Sequence, residues 1–172
     1  MDIQMRTRAL ALVLSLAVAA PLAAQGWMSD MHTDVNDAQK KFIDLAKAFP
    51  EKSYDWRPGP GVRSVGEVFL HIAGENYLIP GMMGKAAPAS TGITADFKSA
   101  ETFEKRKLTK AQIVAALEAS FKNLHQGMAL TTAANGSETI RVFGRDFTRA
   151  KAKVGTVTHL TEHLEPAIAN AT

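Results

Sequence analysis

The chain has 172 residues, with 20 basic and 17 acidic side chains and no cysteine. A net charge of +3 is too small to argue for a nucleic-acid partner, and the lack of cysteine excludes thiolate metal sites, c-type haem attachment and thiol redox chemistry. Residues 25–172 amount to one domain, long enough to bury a core without disulfides.

Residues 1–24 read as a secretory signal peptide. Arg6 and Arg8 precede an apolar run from Ala9 to Ala20, and Pro21-Leu22-Ala23-Ala24 offers small residues for cleavage. The run is shorter than the roughly 20 residues that span a bilayer. These features predict a periplasmic or secreted bacterial protein whose mature form, 25–172, begins near Gln25 and has no membrane span.

Four helices follow in chain order. The first covers Asp34 to Phe49, with Val35, Phe42, Leu45 and Phe49 at helical spacing and Pro50 as its stop. Ser64-Val65-Gly66-Glu67 is a capping box and opens the second, which is expected to run to about Ile79 and stop at Pro80-Gly81. Glu67 and Glu75 are its only charged residues, so it is expected to be buried on more than one side. Met82 to Leu108 is too long for a tight hairpin and suits a crossover. Thr109-Lys110-Ala111-Gln112 caps the third helix, whose stripe is Ile113, Leu117, Phe121, Leu124 and Met128. Glu138 to Phe143 alternates and Gly144 can turn it, which fits a short hairpin. The fourth helix runs from about Thr148 past His163, with Val157, Leu160, Leu164 and Ile168 inward. The expected fold is all-α: a four-helix bundle in up-down-down-up order, with the long crossover between its second and third helices.

His159 and His163 are four residues apart, so on a helix their side chains are neighbours and can reach one ion. His71, on the second helix, can complete a set of three protein ligands that leaves a coordination position open. The spacing is equally met by a buried, hydrogen-bonded histidine at 71 and a solvated helix edge at 159 and 163. Glu75 and Glu162 each lie close to a candidate ligand and fit an orienting acceptor, a general base or a plain surface carboxylate. Trp56 and Arg57 fit a loop that packs over the end of the bundle. His125 reads as solvated on the edge of the third helix, and His32 as part of the flexible start of the mature chain. His159-Leu160-Thr161-Glu162-His163 also matches the inverted zinc-protease order, but such enzymes need an acidic ligand far downstream, and only nine residues remain.

The segment Tyr54-Asp55-Trp56-Arg57-Pro58-Gly59-Pro60-Gly61-Val62-Arg63-Ser64-Val65-Gly66-Glu67-Val68-Phe69-Leu70-His71 resembles the first half of the DinB/YfiT-like family. Val142-Phe143-Gly144-Arg145, followed by His159 and His163, resembles the second half. The resemblance covers about Thr33 to Ile168. It implies a four-helix bundle of the order given above, usually a homodimer. It also implies a divalent metal, zinc or nickel, on His71, His159 and His163. The activity implied is that of a metal-dependent hydrolase, or of a transferase or isomerase that uses a low-molecular-weight thiol on a small-molecule substrate; a non-catalytic metal- or partner-binding bundle is the alternative. The chain departs from the family pattern at Glu165-Pro166, which interrupts the last helix where relatives carry it on.

Overall fold

A computed structural model describes residues 26–164 and residue 167. The expected signal peptide, residues 1–24, lies outside the described residues, as do Glu165, Pro166 and Ile168. Among the described residues no helix is long and apolar enough to cross a membrane.

The chain folds as a bundle of four long helices with a fifth, short helix and a small hairpin. Helix α1 is described from residue 26 to 48, so it begins before the Asp34 expected for it. No proline interrupts residues 27–33, and Met31 packs against the core, which keeps the extra turns helical. Val35, Ala38, Phe42 and Ala46 form its buried stripe, while Leu45 lies at the edge. After Pro50 and a 3-10 turn at Glu51–Ser53, Tyr54 enters the core and its hydroxyl donates to the Ala46 carbonyl at 2.6 Å. Trp56 does not pack over the bundle as expected: it is 51% exposed, and Tyr54, two residues earlier, holds the loop instead. Arg57 ties the loop internally, donating to the Val62 carbonyl at 2.8 Å and to Glu67 at 3.1 Å.

Helix α2, Val65–Met82, starts on the expected capping box at Ser64 and Glu67. Its middle is buried all round, from Phe69 to Pro80 with the exception of His71. It does not stop at Pro80. A proline leaves the carbonyl four residues back without its helical donor, here that of Asn76. Asn123 Nδ2 donates to that carbonyl at 3.2 Å, so the helix continues at no loss of hydrogen bonding. Asn76 Nδ2 in turn donates to Ser120 Oγ at 3.1 Å.

The crossover contains a helix that the sequence reading left out. Helix α3, Phe97–Glu104, is capped by Asp96, whose side chain accepts from Lys98 N–H at 3.0 Å. Ala100 and Phe103 are buried against α2, with the Phe103 and Tyr77 rings edge to face at 6.0 Å. Helix α4, Lys110–Ala129, follows its own capping box and buries all five of the expected stripe residues. The strands β1, Thr139–Val142, and β2, Arg145–Thr148, form the hairpin, with Val142 opposite Arg145. Its two-residue loop has both residues at positive φ, 49° at Phe143 and 74° at Gly144. That geometry suits the twist of a hairpin but costs a phenylalanine about 1–2 kcal/mol. Helix α5, Arg149–Glu162, completes the bundle. Its regular part ends at Glu162, yet the Ala167 amide still donates to the His163 carbonyl at 3.4 Å, and Ala167 is buried.

Pairings along the helices fix their directions. Gly66 lies against Ile113, Asn76 bonds Ser120, and Gly127 lies against Pro80, so α2 and α4 run parallel. Lys47 pairs with Glu118, Phe42 with Phe121 and Gln39 with His125, so α1 runs opposite to α4. His163 meets His71 while Ala152 packs with Ile79 and Met83, so α5 runs opposite to α2. This is the up-down-down-up order. It brings the middle of α2 beside the C-terminal turns of α5.

Candidate metal centre

His71 and Glu75 project from one face of α2, one helical turn apart, and His159 and His163 do the same on α5. The antiparallel contact of the two helices joins these pairs into one cluster. The His159 and His163 Nε2 atoms are 3.1 Å apart. Each also lies close to Glu75 Oε2, at 3.1 Å for His159 and 3.0 Å for His163. His71 Nε2 is 3.4 Å from the other oxygen of Glu75. His71, Glu75 and His163 each offer a donor atom within 4.8 Å of the other two. All three sequence-predicted ligands therefore border Glu75, with His71 and His163 in one mutually close group and His159 joined to it through Glu75 and His163.

Two further carboxylates stand around the cluster. Glu104, from α3, accepts at 2.9 Å from His71 Nδ1, and Arg63 Nε donates to its other oxygen at 2.8 Å. This orients the His71 ring, with Nδ1 toward Glu104 and Nε2 toward Glu75. Glu162 Oε2 is 3.9 Å from His159 Nδ1, beyond hydrogen-bond range, and the Glu162 side chain is mostly exposed. Of the two acidic residues singled out from sequence, Glu75 is central and Glu162 peripheral. Glu104 was missed because α3 was missed. Its signal was present: an Asp96 cap followed by Phe97, Ala100, Phe103 and Glu104 at helical intervals.

The electrostatics follow from burial and neighbours. Glu75 is 7% exposed. Burial pushes its carboxyl up, but the hydrogen bonds of His159 and His163 and the charge of His71 outweigh this and bring it down to about 2. Hydrogen bonding to Glu75 raises His159, against burial, which lowers it. Glu104 is pushed up by burial and drawn below the usual carboxylate range by His71 and Arg63. The last turn of α5 adds the negative end of its helix dipole near the cluster. A buried anion flanked by three imidazoles and a helix C-terminus is a place for positive charge.

A divalent ion satisfies that demand, and the donor geometry fits one. Ligand atoms at about 2.0–2.1 Å from an ion lie about 2.9–3.4 Å from one another in tetrahedral or octahedral arrangement. The three histidine-to-Glu75 separations and the His159–His163 separation run from 3.0 to 3.4 Å, while the mutually close donor group is His71, Glu75 and His163. Imidazole and carboxylate donors without sulfur suit a divalent metal ion. His159 and His163 keep part of their side chains exposed, 37% and 25%, so the cluster is reached from one side.

Comparison with proteins of curated function finds no match. Among solved structures, the chain resembles a DinB-like protein from Bacillus cereus, with a TM-score of 0.66, 13% identity and coverage of 81% of this chain and 87% of that one. It also resembles a conserved protein from Enterococcus faecalis, with a TM-score of 0.65, 15% identity and coverage of 83% and 93%. A mycothiol-dependent maleylpyruvate isomerase shares the fold at a TM-score of 0.62 and 10% identity, over 80% of this chain and 59% of the isomerase. The sequence profile of the DinB superfamily matches residues 35–167, most of the length described above, and the chain belongs to that superfamily.

Proposed function

We propose that this protein is an exported, divalent-metal-dependent enzyme, a hydrolase or a thiol-dependent transferase acting on a small molecule. The observation that carries the reading is the convergence of His71, His159, His163 and Glu75 at ion-ligand separations, with one side of the cluster exposed. A divalent ion held there supplies Lewis acidity that acidifies a nucleophile, water or thiol, at neutral pH. The chain's own residues do the rest. His71, His159 and His163 hold the ion, with Glu104 and Arg63 orienting His71. Glu75, held as a carboxylate between the imidazoles, would balance the charge of the ion and keep the histidines in place. A structural relative that depends on mycothiol favours a low-molecular-weight thiol as the nucleophile. Export rests on the pattern of residues 1–24, and N-terminal sequencing of the secreted protein tests it.

Metal analysis of the purified protein and its variants tests the centre. About one equivalent is expected, with sharp loss in His71→Ala, His159→Ala and His163→Ala and full retention in His125→Ala. Retention after loss of His71 would rule out the centre as drawn. A second reading has support in the position of Glu75: if its carboxylate is a permanent fourth ligand, the ion is closed off and structural. Binding of acetohydroxamate, which needs free coordination positions, separates the two.

A further inference from the structure

A groove of about 450 Å³ lies between α5 and the hairpin, over the smaller hydrophobic cluster of Ile79, Val142 and Ala152. Ile79, Ala152 and Gly155 form its floor, and Phe143 and Phe147 of the hairpin form its wall. His159 stands at one end and Lys151 at the other. Eight residues of helix separate them, a length of about 12 Å. The volume is that of a small-molecule site, and its lining is mainly apolar. The groove therefore borders the candidate metal centre at His159.

Two features of the chain keep it open. Gly155 lies in the middle of α5, where glycine weakens a helix. No packing requires it: a Cβ placed there would meet nothing within 4 Å. Phe143 stands 49% exposed at the hairpin tip, with φ at 49°, a conformation that disfavours a large side chain. Gly155 serves no packing, Phe143 meets the exposed Phe97 ring edge to face at 6.4 Å, and both line the groove. From this we infer that the groove binds the apolar body of the substrate, whose polar head lies at the histidine cluster. The substrate class is then an elongated amphipathic molecule with an aliphatic or aromatic body. Lys151 at the far end suits an anionic terminus. The inference rests on the proposed metal-dependent activity only for the position of the polar head.

A homologous series of hydroxamates, from acetohydroxamate to octanohydroxamate, tests the inference on zinc-loaded protein. Affinity is expected to tighten about threefold to fourfold for each methylene that the groove covers. Gly155→Leu fills the floor and should abolish this gain while leaving acetohydroxamate binding and zinc content unchanged. Phe143→Ala, at an exposed turn, should reduce the gain in part. A second measurement needs no metal: anilinonaphthalene sulfonate, an apolar anion, should bind the chelator-stripped wild type and lose that binding in Gly155→Leu. Equal affinity across the series, with dye binding indifferent to Gly155→Leu, overturns the groove and leaves the metal centre standing. Failure of acetohydroxamate to bind while the dye still reports Gly155→Leu sustains the groove and removes the open metal centre. Failure of both measurements removes both. A concentration-dependent dimer that Gly155→Leu dissociates would make this face a subunit contact and overturn the inference.

Discussion

The bundle carries a histidine cluster toward each end, and the two are opposite in character. At one end His71, His159 and His163 surround the Glu75 carboxylate, with Glu104 behind His71. At the other, the rings of His32 and His125 stack at 6.3 Å, and the polar groups around them are an amide and a cation. His125 Nε2 pairs with Gln39 Oε1 at 2.8 Å. Lys153, only 1% exposed, is close enough to depress His32, and its ammonium reaches the Thr131 carbonyl at 3.4 Å. The first cluster draws in positive charge, and the second repels it. Carboxylates, and not the number of imidazoles, decide which cluster suits an ion.

The second end should therefore depend on packing, and the largest effects are expected there. Phe121 lies one turn before His125, is fully buried and packs at a tilt against Phe42, with the ring centroids 6.2 Å apart. Phe121→Ala should cost about 3–5 kcal/mol in denaturant titration. Gly127 offers a sharper test. Alanine for glycine in a helix normally stabilises by about 1 kcal/mol. Here the new Cβ would lie 2.4 Å from Pro80 Cβ, so Gly127→Ala should destabilise, by about 1–3 kcal/mol. A stability gain in Gly127→Ala would show that α2 and α4 can separate there at no cost. In both variants the metal affinity per folded molecule should stay at the wild-type value.

The first end should depend on charge. Glu75→Gln keeps the shape of the side chain and removes its anion. Metal affinity should fall by about 10–100-fold, the range for loss of a group that supports the ligands, and by more if Glu75 is itself a ligand. Competition with a chelator of known affinity measures it. Unchanged affinity would mean that three imidazoles suffice and that the contrast between the two ends has another origin.

The contrast was only partly legible in the sequence. The His159 and His163 pair was visible because helical spacing places i and i+4 on one face, and His71 because it sits on a helix almost free of charge. The capping boxes at Ser64 and Thr109 marked the starts of α2 and α4, where side-chain hydrogen bonds act locally. What failed to show depended on other elements. Pro80 reads locally as a stop, and only Asn123, far along the chain, removes the reason to stop. Glu104 became visible as a site residue only once α3 was docked on α2. Trp56 fits a loop packed over the end of the bundle, but Tyr54 took that place by reaching the Ala46 carbonyl. His125 reads as solvated and His32 as part of a flexible start, because nothing local reveals that α1 runs back along α4.

The smallest expected effect, and the one that separates the two ends by sign, is the response of stability to mild acid. Burial lowers the pKa of His125, and burial, Lys153 and His125 together lower that of His32. Both rings are thus held neutral in the folded chain and take up protons more readily when it unfolds. The unfolded chain then binds more protons below the ordinary histidine value of 6.5, so this pair loses stability as pH falls through that value toward the folded pKa. His159 is raised in the folded chain, so its contribution is present below 6.5 and is lost as pH rises through its folded pKa. Glu75 and Glu104 are depressed, and their contributions are lost only as pH falls below the ordinary carboxylate value of 4.5. Between about pH 6.5 and 5 the histidines therefore dominate the slope. In metal-stripped protein at constant ionic strength, His125→Gln should lose less stability than the wild type as urea titrations move from pH 7 to pH 5. Glutamine keeps a polar partner for Gln39 and cannot titrate. An equal or steeper acid loss in His125→Gln would show that the second cluster is not held neutral, and the two ends would no longer differ in sign.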